Sequence, residues 1–198
     1  MDENKVVYGL KNAHVATYTT DEDGKVTYGI PFHLPGSVEL SLEPSGDMVK
    51  FYADDTLFYS APNNQGYEGT LTLARITDKF AQECLGEVLD SATKTMIEDA
   101  NTKPKQFALL FEFDGDKSAT KHVVYNCTAN RPTVASSTKS DSTEPTTSEL
   151  TFSASPIELV SGKLLVKSHT TATTPNDTVS SWYEKVFIPT LETTPGGA

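Results

Sequence analysis

A chain of 198 residues has room for one domain with a core of its own. Its 37% hydrophobic content is low for a globular protein and suits a fold with long hairpins, or one whose surface is hidden only on assembly. A formal net charge of −11 weighs against a sequence-reading or packaging DNA binder, because an acidic surface repels phosphates. The longest strongly apolar run, Phe107 to Phe111, is far too short to cross a bilayer. The opening residues Met1-Asp-Glu-Asn-Lys5 lack an apolar export segment, so a cytoplasmic place of synthesis and use is expected. The two cysteines fit that compartment as buried thiols.

Along the chain, Asp21-Glu-Asp-Gly24 reads as a hairpin turn. In the next strand Val38, Leu40 and Leu42 share one face, and Ser37, Glu39, Ser41 and Glu43 the other. Glu43 to Gly66 then carries Met48, Phe51, Tyr52, Leu57, Phe58 and Tyr59 among Asp47, Asp54 and Asp55. From the residues alone it is either two ordinary core strands or a projecting hairpin.

Gly66 to Ala74 alternates, with Leu71 and Leu73 on one side. From Ile76 to Gly86 the period becomes helical, with Phe80, Ala81, Cys84 and Leu85 on one stripe. Thr77 is the expected N-cap, Asp78 suits the first turn, and Gly86 marks the stop. A polar insertion, about 90–104, follows, with a short strand over Lys94 to Ile97. Lys105 to Asp114 and Thr120 to Thr128 are strands joined by a Gly-Asp turn.

Thr133 to Thr147 is rich in Ser and Thr. It does not split the chain into two units, because the strand after it (Leu150, Phe152 and Ala154 against Glu149, Thr151 and Ser153) is too short to fold alone. His169 to Thr178 reads as a polar connector, and a tail of about 193–198 as disordered. The whole predicts one mainly β domain over 1–198: a β-sandwich or partly closed barrel flanked by one α-helix.

No constellation for catalysis emerges. Asp21 to Gly24 lacks the acidic positions of a calcium loop, with Thr at 19 and Ile at 30. The four histidines, 14, 33, 122 and 169, have no zinc-like spacing. Asp54-Asp55 sits better in a turn than as an acid/base pair, because adjacent strand residues point to opposite faces. No Gly-rich phosphate loop or nucleophile elbow is present. The expectation is a non-enzymatic protein without cofactor or metal.

Several segments, in order and spacing, resemble the major tail proteins (tail tube proteins) of long-tailed, non-contractile bacteriophages. They are Asn4 to His14, Leu34 to Asp47, Phe51 to Asp55, Phe107 to Phe113, Tyr125 to Pro132, Glu144 to Phe152 and Trp182 to Phe187. No single segment is diagnostic; their joint order carries the resemblance. It implies a tail-tube-like fold and a structural virion protein in the phage tail, assembled in the host bacterial cytoplasm. Its partners would be further copies of itself, in hexameric rings stacked into a tube, with tape-measure, tail-terminator and tail-tip proteins at the ends. DNA would pass through without a specific bound state at ejection.

The resemblance also favours the hairpin reading of segment 43–66, as an arm contacting the adjacent ring. Asp47, Met48, Phe51, Asp54, Asp55 and Phe58 are its candidate contacts. Polar strand faces carrying Glu39, Glu43 and Glu149 are candidates for the lumen wall or, equally, for the outer surface. The rival reading is a monomeric β-sandwich binding module, such as a tail-tip or decoration protein. That class should expose aromatics in loops, for which Tyr67 and Trp182 are the candidates here.

Overall fold

The computed structural model describes residues 4–136, 138 and 145–190. The expected disordered tail and part of the Ser/Thr-rich segment lie outside them. The elements are β1 (Val7–Thr20), β2 (Val26–Tyr28), β3 (Phe32–His33), β4 (Ser37–Ser45), β5 (Val49–Ala53), β6 (Thr56–Ala61), β7 (Gly66–Leu73) and α1 (Asp78–Phe80), which runs on as a π-helical turn (Ala81–Leu85). After them come β8 (Val88–Leu89), β9 (Met96–Ile97), β10 (Phe107–Gly115), β11 (Thr120–Ala129), β12 (Ser148–Ala154), β13 (Ile157–Val160), β14 (Lys163–Leu165), β15 (Lys167–His169) and α2 (Asn176–Ser180), which ends in a 3-10 turn (Ser181–Tyr183).

The chain is mainly β. One antiparallel sheet has the order β2-β1-β10-β11-β12-β7-β4, with β3 added to β1 and β15 to β11. It is curled and open, not a closed barrel. Inward residues of β1, β10 and β11 (Val15, Phe107, Leu109, Phe111, Val124, Cys127) meet those of β7 and β12 (Leu71, Leu73, Leu150, Phe152) in one core. Leu40 and Leu42 of β4 pack at its margin.

The helix caps one opening of this core, as its periodicity predicts. Phe80, Cys84 and Leu85 are buried, and Phe80 meets Phe107 edge-on at 5.6 Å between ring centres. The Thr77 side chain accepts from the Phe80 N–H. Gly86 ends the turn with φ +82° and donates to the Ala81 carbonyl, five residues back, which makes the turn π rather than α. Both thiols are buried in this core, which pushes the Cys84 thiol up to about 12 and Cys127 higher still.

A second core lies on the other face of β1, β10 and β11. Ala16, Ala108, Leu110, Val123 and Tyr125 are covered there by Trp182 and Val186, with Tyr183 and Phe187 beside them. Phe107 to Glu112 is therefore buried on both faces. This corrects the reading of Trp182 as a loose loop aromatic: it is 2% exposed, stacks on Phe187, and donates from Nε1 to the His122 carbonyl. The connector from His169 also holds the start of α2, so the described residues form two short helices rather than one.

Val38 is a further correction. The register slips between Ser37 and Glu39, which leaves Val38 more than half exposed and off the apolar face. In the insertion the short strand is present as β9, paired with β8.

Candidate functional site: an exposed hairpin and an acidic sheet face

β5 and β6 pair only with each other. Their turn is Asp54-Asp55, with φ of +49° and +58°, a left-handed pair that matches the twist of a two-residue hairpin. At the hairpin's base Gly46 has φ +109°, and a Cβ there would meet the Asn63 carbonyl oxygen at 1.9 Å, so only glycine fits. Met48, Val49, Phe51, Tyr52, Leu57, Phe58 and Tyr59 all stand more than half exposed, Phe58 at 73%. Val49, Phe51 and Tyr59 share one face and Tyr52 and Leu57 the other, with a slip near Phe58. Both faces of the ribbon are thus apolar and open. Phe51 and Phe58 meet edge-on at 6.4 Å. A lone two-stranded ribbon is marginal in water, and an apolar surface of this extent is a mark of an interaction site. Asp47, Asp54 and Asp55 are exposed with no ion pair among the described residues.

The register of β4, β7 and β12 gathers the three sequence-named glutamates on one face. Glu39 lies opposite Thr72, which lies opposite Glu149. Glu43 lies opposite Glu68, which lies opposite Ser153. Ser41, Thr70 and Thr151 fill the row between. With strands about 4.8 Å apart, this is one continuous polar surface holding four carboxylates and no Lys or Arg. Glu68 was missed in the sequence; its signal was its place opposite Leu71 and Leu73 in an alternating strand. The directly opposed Glu43 and Glu68 repel, a cost that exposure to water and salt keeps small.

The sheet also brings the scattered histidines together in pairs. His14 lies across from His33, ring centres 5.0 Å apart, and His122 across from His169 at 5.5 Å. His122 also stacks on Phe111 at 5.0 Å. Burial, then the nearby His169 and Lys167, lower its pKa to about 4. Burial likewise lowers His14. Among the described residues no group of three or more His, Cys, Asp or Glu is disposed to hold a metal ion. No helix among them is long and apolar enough to cross a membrane.

The lone acid in the apolar run of β10, Glu112, is 5% exposed. It accepts from Asn12 Nδ2 at 2.8 Å and from the Tyr183 hydroxyl at 3.1 Å, with Lys11 Nζ 3.8 Å away. Asn12 reaches it from a bulge in β1, where its φ is +54°. These contacts fasten the Tyr183 segment to the sheet and form a structural tie.

No protein-family model matches the chain, and no curated protein sequence matches it. Solved structures similar in outline include the following three. One is the anti-feeding prophage cap, the AFP tube terminating cap, with TM-score 0.45 and 17% identity over 86% of this chain and 97% of that one. Another belongs to the sheath-tube complex, in the extended state, of an extracellular contractile injection system termed PVC, with TM-score 0.45 and 14% identity over 85% and 94%. A third belongs to the anti-feeding prophage baseplate, with TM-score 0.44 and 8% identity over 87% and 99%. Similarity below a TM-score of 0.5 does not by itself establish a common fold.

Proposed function

We propose that this chain is a structural virion protein that self-assembles into stacked hexameric rings, the tail tube of a phage, through which DNA is ejected. The observation that carries this reading is the β5–β6 hairpin, apolar on both faces and left uncovered by the described residues of its own chain. A second copy of the chain satisfies it. The edges of β2 and β4, each hydrogen-bonded to one neighbour strand among the described residues, support the same reading. Edge pairing between copies satisfies their backbone groups and joins the sheets around a channel. The acidic face of β4, β7 and β12 suits the channel wall, where repulsion keeps phosphates from sticking. Tape-measure, terminator and tail-tip proteins are the partners that the sequence resemblance adds, in a tail assembled in the host cytoplasm.

The test is the state of the pure protein at high concentration and long incubation, by size-exclusion chromatography and negative-stain microscopy. Rings or tubes are expected. A strictly monomeric protein, absent from tubes in lysates that contain it, would instead favour the binding-module reading. Neither loop-aromatic candidate of that reading lies exposed in a loop: Trp182 is buried, and Tyr67 is half-buried within β7.

A further inference from the structure

We infer that the seam where β4 curls back toward β10, β11 and β15 is a binding pocket for a small monocarboxylate with an aromatic or short alkyl body. β4 is the end strand of the sheet and joins β11 only through β7 and β12. β12 pairs with β11 over Cys127 to Ala129, and β15 pairs with it over His122 to Val124. β15 and β4 are not paired with each other, and a cavity of about 290 Å³ lies at the seam. Leu40 and Leu42 line it from β4, Phe111 and Phe113 from β10, His122 from β11 and Lys167 from β15. Its size is at the small end of ligand sites, which span about 300–1,000 Å³, so it suits one ring or a short chain.

Two polar groups meet this apolar space without a partner of their own. The His122 ring is fixed by its neighbours, with Phe111 stacked at 5.0 Å, Phe113 tilted at 5.1 Å and His169 stacked at 5.5 Å. Its imidazole makes no hydrogen bond among the described residues. Lys167 Nζ stands 4.4 Å above the Tyr67 ring and has no ion-pair partner among the described residues. A purely apolar ligand would leave both donors unanswered, whereas a carboxylate accepts from both.

The surrounding charges favour an anion. Glu39 and Glu43 alternate with Leu40 and Leu42 and point to the other face of β4. Glu112 and Lys121, opposed across β10 and β11, turn toward Tyr183 in the second core. Asp114 is engaged by Lys11 at 2.6 Å. Burial apart, the groups that bear on His122 are His169 and Lys167, with no carboxylate among them. A ligand held here touches both the end strand and the middle of the sheet, and so fastens the open seam.

The test is titration of the full, unassembled chain with phenylacetate and with its neutral counterpart 2-phenylethanol. The readouts are the imidazole C2 proton resonance of His122, identified by its loss in His122→Gln, and the thermal midpoint. Phenylacetate should shift that resonance saturably, leave His33 unmoved and raise the midpoint. 2-Phenylethanol should bind about fivefold more weakly, and Lys167→Met should weaken phenylacetate by a similar factor. Leu42→Trp, which fills the space, should abolish the shift. Equal affinity for acid and alcohol, or an unchanged affinity in Lys167→Met, would overturn the carboxylate assignment. No saturable shift, or a full shift in folded Leu42→Trp, would overturn the site. If Leu42→Trp does not fold, the exposed Lys167→Met substitution still decides. A His122 shift that grows with protein concentration without phenylacetate would give the pocket to a second copy of the chain and overturn the inference as well.

Discussion

The Tyr183 hydroxyl donates to Oε2 of Glu112 across 3.1 Å, tying the last described segment to the middle of β10. Glu112 is nearly sealed from water, so each of its hydrogen bonds replaces hydration it has lost. Burial, with the adjacent carboxylate, also raises the pKa of Tyr183, which keeps it a donor at all ordinary pH. Tyr183→Phe should lower stability by about 1.5–3 kcal/mol, the range for a hydrogen bond to a charged group. Tyr8→Phe is the control, because that hydroxyl makes only a long, exposed bond to the Gly115 carbonyl. Equal denaturant midpoints for the two variants would show that the tie is idle.

Phe80→Ala and Leu85→Ala should damage folding itself. Both side chains are buried under the sheet opening, and each truncation should cost about 2–5 kcal/mol. The denaturant midpoint of unassembled protein measures this. Unchanged midpoints would mean that the helix does not pack on the core.

The hairpin should behave in the opposite way. Phe51→Ser with Phe58→Ser removes exposed apolar surface and no core volume, so the midpoint should shift by less than about 0.5 kcal/mol. Tube formation should be lost. A variant that assembles normally would show that this ribbon is not the contact.

Protonation of His122 should make the fold weaker in acid. Its pKa is about 4 in the folded chain, below the ordinary value near 6.5, so the unfolded chain takes up the proton first as pH falls. Stability is unaffected by this group above about 6.5, declines between there and about 4, and levels off below. Beside burial, His169 across the strand pair and Lys167 add positive charge that opposes protonation. Midpoints measured from pH 7 down to 4.5 should fall less steeply in His122→Gln than in the unmodified protein. Parallel curves would sink the assignment.

Lysine at Glu39, Glu43 and Glu149 should leave tubes intact but slow DNA ejection from complemented phage, more so at low salt. Adding Glu68→Lys should deepen the effect, because all four side chains share the face. Normal ejection from intact tubes at low salt would show that this face does not line the channel.

Much was legible because it is local. The Thr77 cap, the Phe80–Cys84–Leu85 stripe and the Gly86 stop act within one or two turns, so residue order alone specifies them. Alternation also assigned Leu71, Leu73, Leu150, Phe152 and Ala154 to the core, and Glu39, Glu43 and Glu149 to polar faces. Strand order was not legible. That the three glutamates share one surface with Glu68 depends on β4 and β12 flanking β7, and β12 is separated from β7 by the whole helix–insertion–hairpin stretch. Alternation could not see the slip at Val38, which arises in pairing with β7, nor that His14 meets His33 and His122 meets His169. It also could not tell that β10 is buried on both faces, since an apolar run reads alike under one covering layer or two. Composition and periodicity settled that this chain makes strands with one helix at a known place. Only the tertiary structure decided which faces meet, because strand pairing joins residues far apart in sequence, and it left the aromatic hairpin with no partner among the described residues of its own chain.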